Sequence, residues 1–176
     1  MKQLILIFIL YAIPSYSQIF EEWVQRYNGP GNSSDVAQSM ALDNMGNIYI
    51  AGRSTGIGSD IDYSIIKYNS NGIQQWEKRY NGPGNGWDAA RSIAVDVSGN
   101  VYVTGYSDGG SSSWDYATIK YNSSGVQQWV QRYNGPIGNS IDEASSIAVD
   151  VSGNVYVSGS SYGGSCNASS GSGISE

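Results

Sequence analysis

The chain has no histidine, a single cysteine (Cys166) and, after residue 18, no apolar run with the spacing of a helix face. Without histidine, the commonest general base at neutral pH and the commonest zinc ligand are both missing. One thiol excludes an internal disulfide framework, although export would permit one. Charge is scarce as well: 14% of residues are charged, and 15 acidic against 9 basic groups leave a formal net charge of −6. A surface of that sign repels phosphate backbones, so nucleic acid is not an expected partner. The one long apolar stretch, Leu4 to Ile13, is too short to span a bilayer comfortably. It follows Lys2 and precedes Pro14 and Ser15-Tyr16-Ser17, the small-residue pattern that a signal peptidase reads. Residues 1–17 therefore read as a signal peptide cleaved before Gln18, which implies a secreted or cell-surface protein with no membrane span after cleavage.

What the chain does have is aromatic residues and glycine: 14 Tyr, 5 Trp and 23 Gly, a composition that suits strands and tight turns. These residues are not scattered. The stretch Ser92 to Gly105 recurs in nearly the same form at Ser39 to Gly52 and at Ser146 to Gly159. Each copy is an alternating apolar run ending at Asp, a turn ending in Gly-Asn, and a second run rich in Val, Ile and Tyr, the pattern of a β-hairpin. Trp23, Trp76 and Trp129 are spaced by 53 residues, and Gly46, Gly99 and Gly153 by 53 and 54, Ile137 being the extra residue. A period of this size with four strand-like segments per copy points to propeller blades rather than a helical solenoid.

Alternation places strands a to d of the first copy at Val36–Asp43, Asn47–Ser54, Asp62–Asn69 and Ile73–Asn81. In the second copy they fall at Ala89–Asp96, Asn100–Tyr106, Asp115–Asn122 and Val126–Asn134. The third copy offers only Ala144–Asp150 and Asn154–Ser160. Ahead of the first copy, Phe20 to Asn28 matches Val126 to Asn134 and reads as a lone strand d. The expected fold is thus all-β: blades of four antiparallel strands, about two and a half of them, in a ring that this chain does not close. The repeat region runs over residues 18–164, in copies of about 23–75, 76–128 and 129–164. Residues 165–176, rich in Gly and Ser, read as a disordered tail.

The run Asp-Val-Ser-Gly-Asn-Val-Tyr-Val-Thr-Gly, followed by Asp-Tyr-Ala-Thr-Ile-Lys-Tyr-Asn, resembles the seven-bladed beta-propeller (SBBP) repeat family of secreted bacterial proteins over about Phe20 to Gly164. The resemblance implies blades with strand a innermost and d outermost, and a ring closed by an N-terminal strand d. It carries no catalytic residues. Four blades of this period exceed the length left after residue 17. A gene product cut short is the preferred reading over a genuinely short protein, because lone repeats leave faces unburied. Open blade edges then imply self-association.

Most repeated polar residues have a structural reading. Asp-x-x-Gly-Asn recurs at Asp43, Asp96 and Asp150, and each loop offers one carboxylate where calcium wants six to eight oxygens, so a turn role is expected and no metal. The repeated tryptophans read as packing, and Lys67 and Lys120 as contacts between blades. The long d–a and b–c loops fall on one face, rich in Asp. There the second copy alone carries Trp87-Asp88 and Trp114-Asp115, where the first has Ser34-Asp35 and Ile61-Asp62. An aromatic ring beside a carboxylate on a loop suits stacking and hydrogen bonding to a sugar, which makes Trp87, Asp88, Trp114 and Asp115 the candidate ligand-binding residues. The competing reading folds each Trp back over a neighbouring blade.

Together these features point to a secreted or cell-surface module without enzymatic activity or cofactor, presenting loops to a protein or glycan. One alternative is a fragment of a propeller glycosidase, which would need paired carboxylates or a Tyr nucleophile; the Ser-x-Asp-x-Gly-x-Thr-Trp boxes of sialidase-like propellers are missing. A structural spacer without a ligand is the other.

Overall fold

The structure, a computed structural model, describes residues 22–111, 113–136, 140–162 and 168–170. The strands are β1 (Asp35–Leu42), β2 (Ile48–Thr55), β3 (Ile61–Tyr68), β4 (Gln74–Tyr80), β5 (Asp88–Val95), β6 (Val101–Asp108), β7 (Trp114–Tyr121), β8 (Gln127–Tyr133), β9 (Asp142–Val149), β10 (Val155–Ser161) and β11 (Ala168–Ser170). They form three antiparallel sheets, ordered β1-β2-β3-β4, β5-β6-β7-β8 and β11-β10-β9. These are blades 1, 2 and 3. No helix occurs among the described residues, and the first ten strands lie within one or two residues of the positions that alternation predicts.

The a–b turn explains why the repeat is so strict. In blade 1 the Gly46 N–H donates to the Asp43 carbonyl at 3.0 Å, and Gly46 takes a φ of +76°, which a side chain would resist. The Asp43 carboxylate then gathers the loop: Oδ1 accepts from the Met45 and Asn47 N–H groups at 2.9 Å each, and Oδ2 from Asn47 Nδ2 at 2.7 Å and the Tyr49 hydroxyl at 3.0 Å. Asp96 accepts from Ser98, Asn100 and Tyr102 in the same way, and Asp150 from Ser152, Asn154 and Tyr156. One carboxylate with four donors is a turn device, as expected.

A second rule bends each inner hairpin. The ladder of strand a shifts register between Ala37 and Ser39 in blade 1 and between Ala90 and Ser92 in blade 2. Gly52, Gly105 and Gly159 stand opposite the shift, where a Cβ would lie 1.9, 2.0 and 2.1 Å from the Val36, Ala89 and Glu143 carbonyl oxygens. Only glycine lets the backbones approach that closely.

Blades pack face to face. The core joins Tyr49, Ala51, Tyr63 and Ile65 of blade 1 to Ala90, Ile93, Val101, Val103, Ala117, Ile119 and Tyr121 of blade 2. Burial of each larger side chain is worth about 1.5–3 kcal/mol. The Tyr63 hydroxyl crosses the interface to the Ala117 carbonyl at 3.0 Å. Blade 3 continues the stack, β9 packing on β5, β6 and β7.

Two ends differ from expectation. Segment 22–28 takes the place of a strand d without being one: among the described residues it has no neighbouring strand c to pair with, and it is held by side chains, Trp23 Nε1 donating to the Ser70 carbonyl at 3.3 Å. In the tail, Ala168–Ser170 pair with Ser158, Val157 and Tyr156 of β10. Backbone pairing asks little of side chains, so even a Ser-rich segment can add a short strand. The signal peptide at 1–17 and the remainder of the tail lie outside the described residues.

Candidate functional site

Trp87 and Trp114 meet on the long-loop face. Trp87 directly precedes β5 and Trp114 opens β7, and both flank Asp108 of β6: the Asp108 N–H donates to the Trp87 carbonyl at 3.2 Å, and Asp108 pairs with Trp114 across the ladder. The indole rings lie 11° from parallel with centroids 6.4 Å apart, an offset stack. The stack continues inward, with the Tyr106 ring 4.6 Å from Trp114 and the Arg91 guanidinium 5.1 Å from the Tyr106 centroid. At the outer end Trp87 is 44% exposed, and its Nε1 donates to Asp60 Oδ2 of blade 1 at 2.8 Å. Both readings of these tryptophans therefore meet in Trp87: it bridges to the neighbouring blade and still offers a ring to solvent.

The two carboxylates are not on the surface with them. Asp88 is fully buried, Oδ2 accepting from the Gly82 N–H at 2.7 Å and Oδ1 from the Asp108 N–H at 3.1 Å. Burial pushes its carboxyl above the usual range, against the opposing effect of hydrogen bonds from Ser107, Gly82 and Asp108. A raised carboxyl can mark an active site. The position itself belongs to the repeat, since Asp35 and Asp142 receive the Gly29 and Gly135 N–H groups at 2.9 and 2.7 Å in the same manner.

Asp115 is also buried, paired with Arg132 Nη2 at 3.0 Å. Arg132 spans the blade, its Nη1 donating to Ser107 Oγ at 2.6 Å and the Tyr80 hydroxyl at 3.1 Å, and its Nη2 to the Ser107 carbonyl at 3.0 Å. Burial opposes its charge, but the bonds to Asp115 and Tyr80 dominate and raise its pKa further. Arg79 repeats the clamp on Ser54, Asp62 and Tyr27. Clamped twice in register, these arginines are the blade's polar staples.

Such a construction, with its cap, clamp and glycine repeated blade after blade, has a counterpart among known families. The sequence profile of the SBBP beta-propeller repeat matches residues 22–59, 78–111 and 128–165, more than half of the chain. The chain belongs to this family. Among curated proteins none matches the chain. As an SBBP repeat module it owes its Asp43-type caps, Arg79-type clamps and Trp76-type plugs to the repeat, whereas Trp87, Trp114 and Tyr106 depart from it. Tyr106 stands where Arg53 and Ser160 stand in the other copies. That substitution was visible in the sequence and would have extended the candidate site to Tyr106. Arg91, which stands where Gln38 and Ser145 stand, and Asp60, which stands where Ser113 stands, also depart from the repeat, but only folding brings them to the stack. Among the described residues no cluster of His, Cys, Asp or Glu could hold a metal.

Proposed function

We propose that this SBBP repeat module is a non-enzymatic binding protein that acts outside the cell and takes a neutral glycan on its long-loop face, with Trp87 as the stacking platform. The observation that carries the reading is the exposed indole of Trp87, held flat against Trp114 and oriented by Asp60. A ring pre-set in this way costs little further entropy when a pyranose face lies on it, and Asp60 Oδ2 stands ready to accept from a sugar hydroxyl. The net charge of −6 disfavours acidic glycans. Asp88 and Asp115, engaged inside the blade, position Trp87 and Trp114 rather than meet the ligand. The same engagement supports a binding rather than a glycosidase role, since a glycosidase needs two carboxyl groups open to its substrate. An exported location rests on the Lys2-led apolar run and Ser15-Tyr16-Ser17.

A glycan array probed with the purified chain tests the reading. Retention of at least one neutral glycan, weakened about tenfold or more by Trp87→Ala and also reduced by Asp60→Asn, is the expected result. An array without binding, or binding indifferent to Trp87, sinks it. Expression in the native host followed by N-terminal sequencing tests export, with Gln18 as the expected first residue of the secreted form.

A further inference from the structure

The Tyr–Arg–Ser part of the clamp occurs twice complete, each time with an Asp paired to the arginine, and a third time as Tyr and Ser alone, no Asp following Asp150 in the sequence. Tyr27, Arg79 and Ser54 form the first, and Tyr80, Arg132 and Ser107 the second. By the same spacing Tyr133 and Ser161 belong to a third. Ser161 Oγ is shielded from water and has no hydrogen-bond partner among the described residues. Arg26, in register with Arg79 and Arg132, is exposed and carries no described hydrogen bond or ion pair. The molecule thus displays a socket between Tyr133 of blade 2 and Ser161 of blade 3, and the matching arginine ahead of blade 1.

The two end faces are unmatched in the same complementary way. On blade 1, Met40 is 65% exposed, while its counterparts Ile93 and Ile147, each covered by the preceding blade, are 6% and 8% exposed. On blade 3, Tyr156 is 43% exposed, while Tyr49 and Tyr102, each covered by the following blade, are at most 2% exposed. A cavity of about 340 Å³ separates Trp23, Gln25 and Tyr27 from Ile48, Ile50 and Ile66 of blade 1. Its walls are those that enclose a blade elsewhere. Trp23 already sits on the c–d turn of blade 1, bonded to the Ser70 carbonyl, as Trp76 sits on blade 2, bonded to the Ser123 carbonyl, both at 3.3 Å. Segment 22–28 therefore stands in the outer-strand position of a preceding blade, and the space inside it is open.

We propose that this chain assembles head to tail: blade 3 of one copy enters the open slot on blade 1 of the next, whose segment 22–28 becomes the fourth strand of that blade. Arg26 of the receiving copy then donates to Tyr133 and Ser161 of the entering one, while Tyr156 and Met40 close the apolar interface. The interface is heterologous, because donor and socket lie at opposite ends of each copy. Blade 1 against blade 2 and blade 2 against blade 3 already show that this family of surfaces packs.

Complementation between two crippled copies tests the pairing. Arg26→Ala removes the donor and keeps the socket, whereas Tyr133→Phe with Ser161→Ala removes the socket and keeps the donor. Arg26 is exposed and Tyr133 is 42% exposed, and unchanged circular dichroism checks that each variant still folds. By analytical ultracentrifugation the 176-residue chain should associate, and each variant alone should associate at least about tenfold more weakly, the scale of a lost charge-assisted hydrogen bond. Their mixture should recover one good interface and give a 1:1 dimer that grows no further. A monomeric parent chain, an Arg26→Ala variant that associates as the parent does, or a mixture no tighter than its components would overturn the proposal.

Discussion

Asp96 shows how much one side chain of this repeat does. Its two oxygens accept two backbone N–H groups, the Asn100 amide and the Tyr102 hydroxyl, all within 3.0 Å. Burial works against its charge, yet these donors outweigh it and hold the carboxyl below its ordinary value; Asp43 behaves likewise. Burial and the Asp96 contact push the Tyr102 hydroxyl up to about 12, so it remains a donor at any physiological pH. A depressed folded pKa contributes stability above the unfolded value of about 3.9, and this is lost as pH falls through the folded one. Denaturant midpoints should therefore drop below about pH 4, and Asp96→Ala, which costs about 2 kcal/mol at pH 7, should abolish part of that slope. Glycine makes a second residue-scale contrast. Gly125 has φ +78° and a Cβ there would lie 3.0 Å from the Trp76 ring, whereas Gly153, at φ +85°, has open space around it. Gly153→Ala should cost about 1 kcal/mol for the backbone alone, and Gly125→Ala clearly more, by urea denaturation.

The clamp arginine acts at the scale of the blade. Arg132 leaves β8 and reaches the end of β6 and the start of β7, so one guanidinium ties three strands that the ladder alone joins only pairwise. Its removal takes the opposite charge away from the buried Asp115, and that is where the cost lies. Arg132→Gln should lower stability by about 3 kcal/mol, because the ion pair with Asp115 is lost inside the blade. Arg132→Lys should recover only part of it, because one ammonium cannot reproduce the fork that serves Ser107, Tyr80 and Asp115 together. Thermal unfolding of the two variants side by side checks both. The blade's Trp works outward instead: Trp76 and Lys67 both reach the Ser123 carbonyl in the next blade, and the Lys67 ammonium also lies 5.1 Å from the Tyr49 ring centroid. These are interblade contacts of the kind expected for Trp76 and Lys67, whereas Lys120 lies over Tyr102 of its own blade.

Across the whole molecule the burial is uneven, and so should be the stability. Blade 2 is covered on both faces, and β6 is buried along nearly its entire length, while β10 of blade 3 alternates between half-buried and exposed. Amide hydrogen exchange should be slowest in β6 and β7 and fastest in β9 and β10, with an order that reverses nowhere inside blade 2. Much of this architecture was legible beforehand. Alternation, the Asp-x-x-Gly-Asn turns and the 53-residue spacing sufficed for the strands, their antiparallel order and their grouping into blades, because each of those rests on interactions between near neighbours in the chain. The tryptophan pair was legible as a departure from the repeat. What it touches was not: that Trp87 bonds Asp60 and that Asp115 turns inward onto Arg132 are contacts between residues 27 and 17 positions apart. Local periodicity carries no record of such distances. They were decided only when the blades stacked, because the packing angle between sheets selects which loop meets which and which faces stay uncovered.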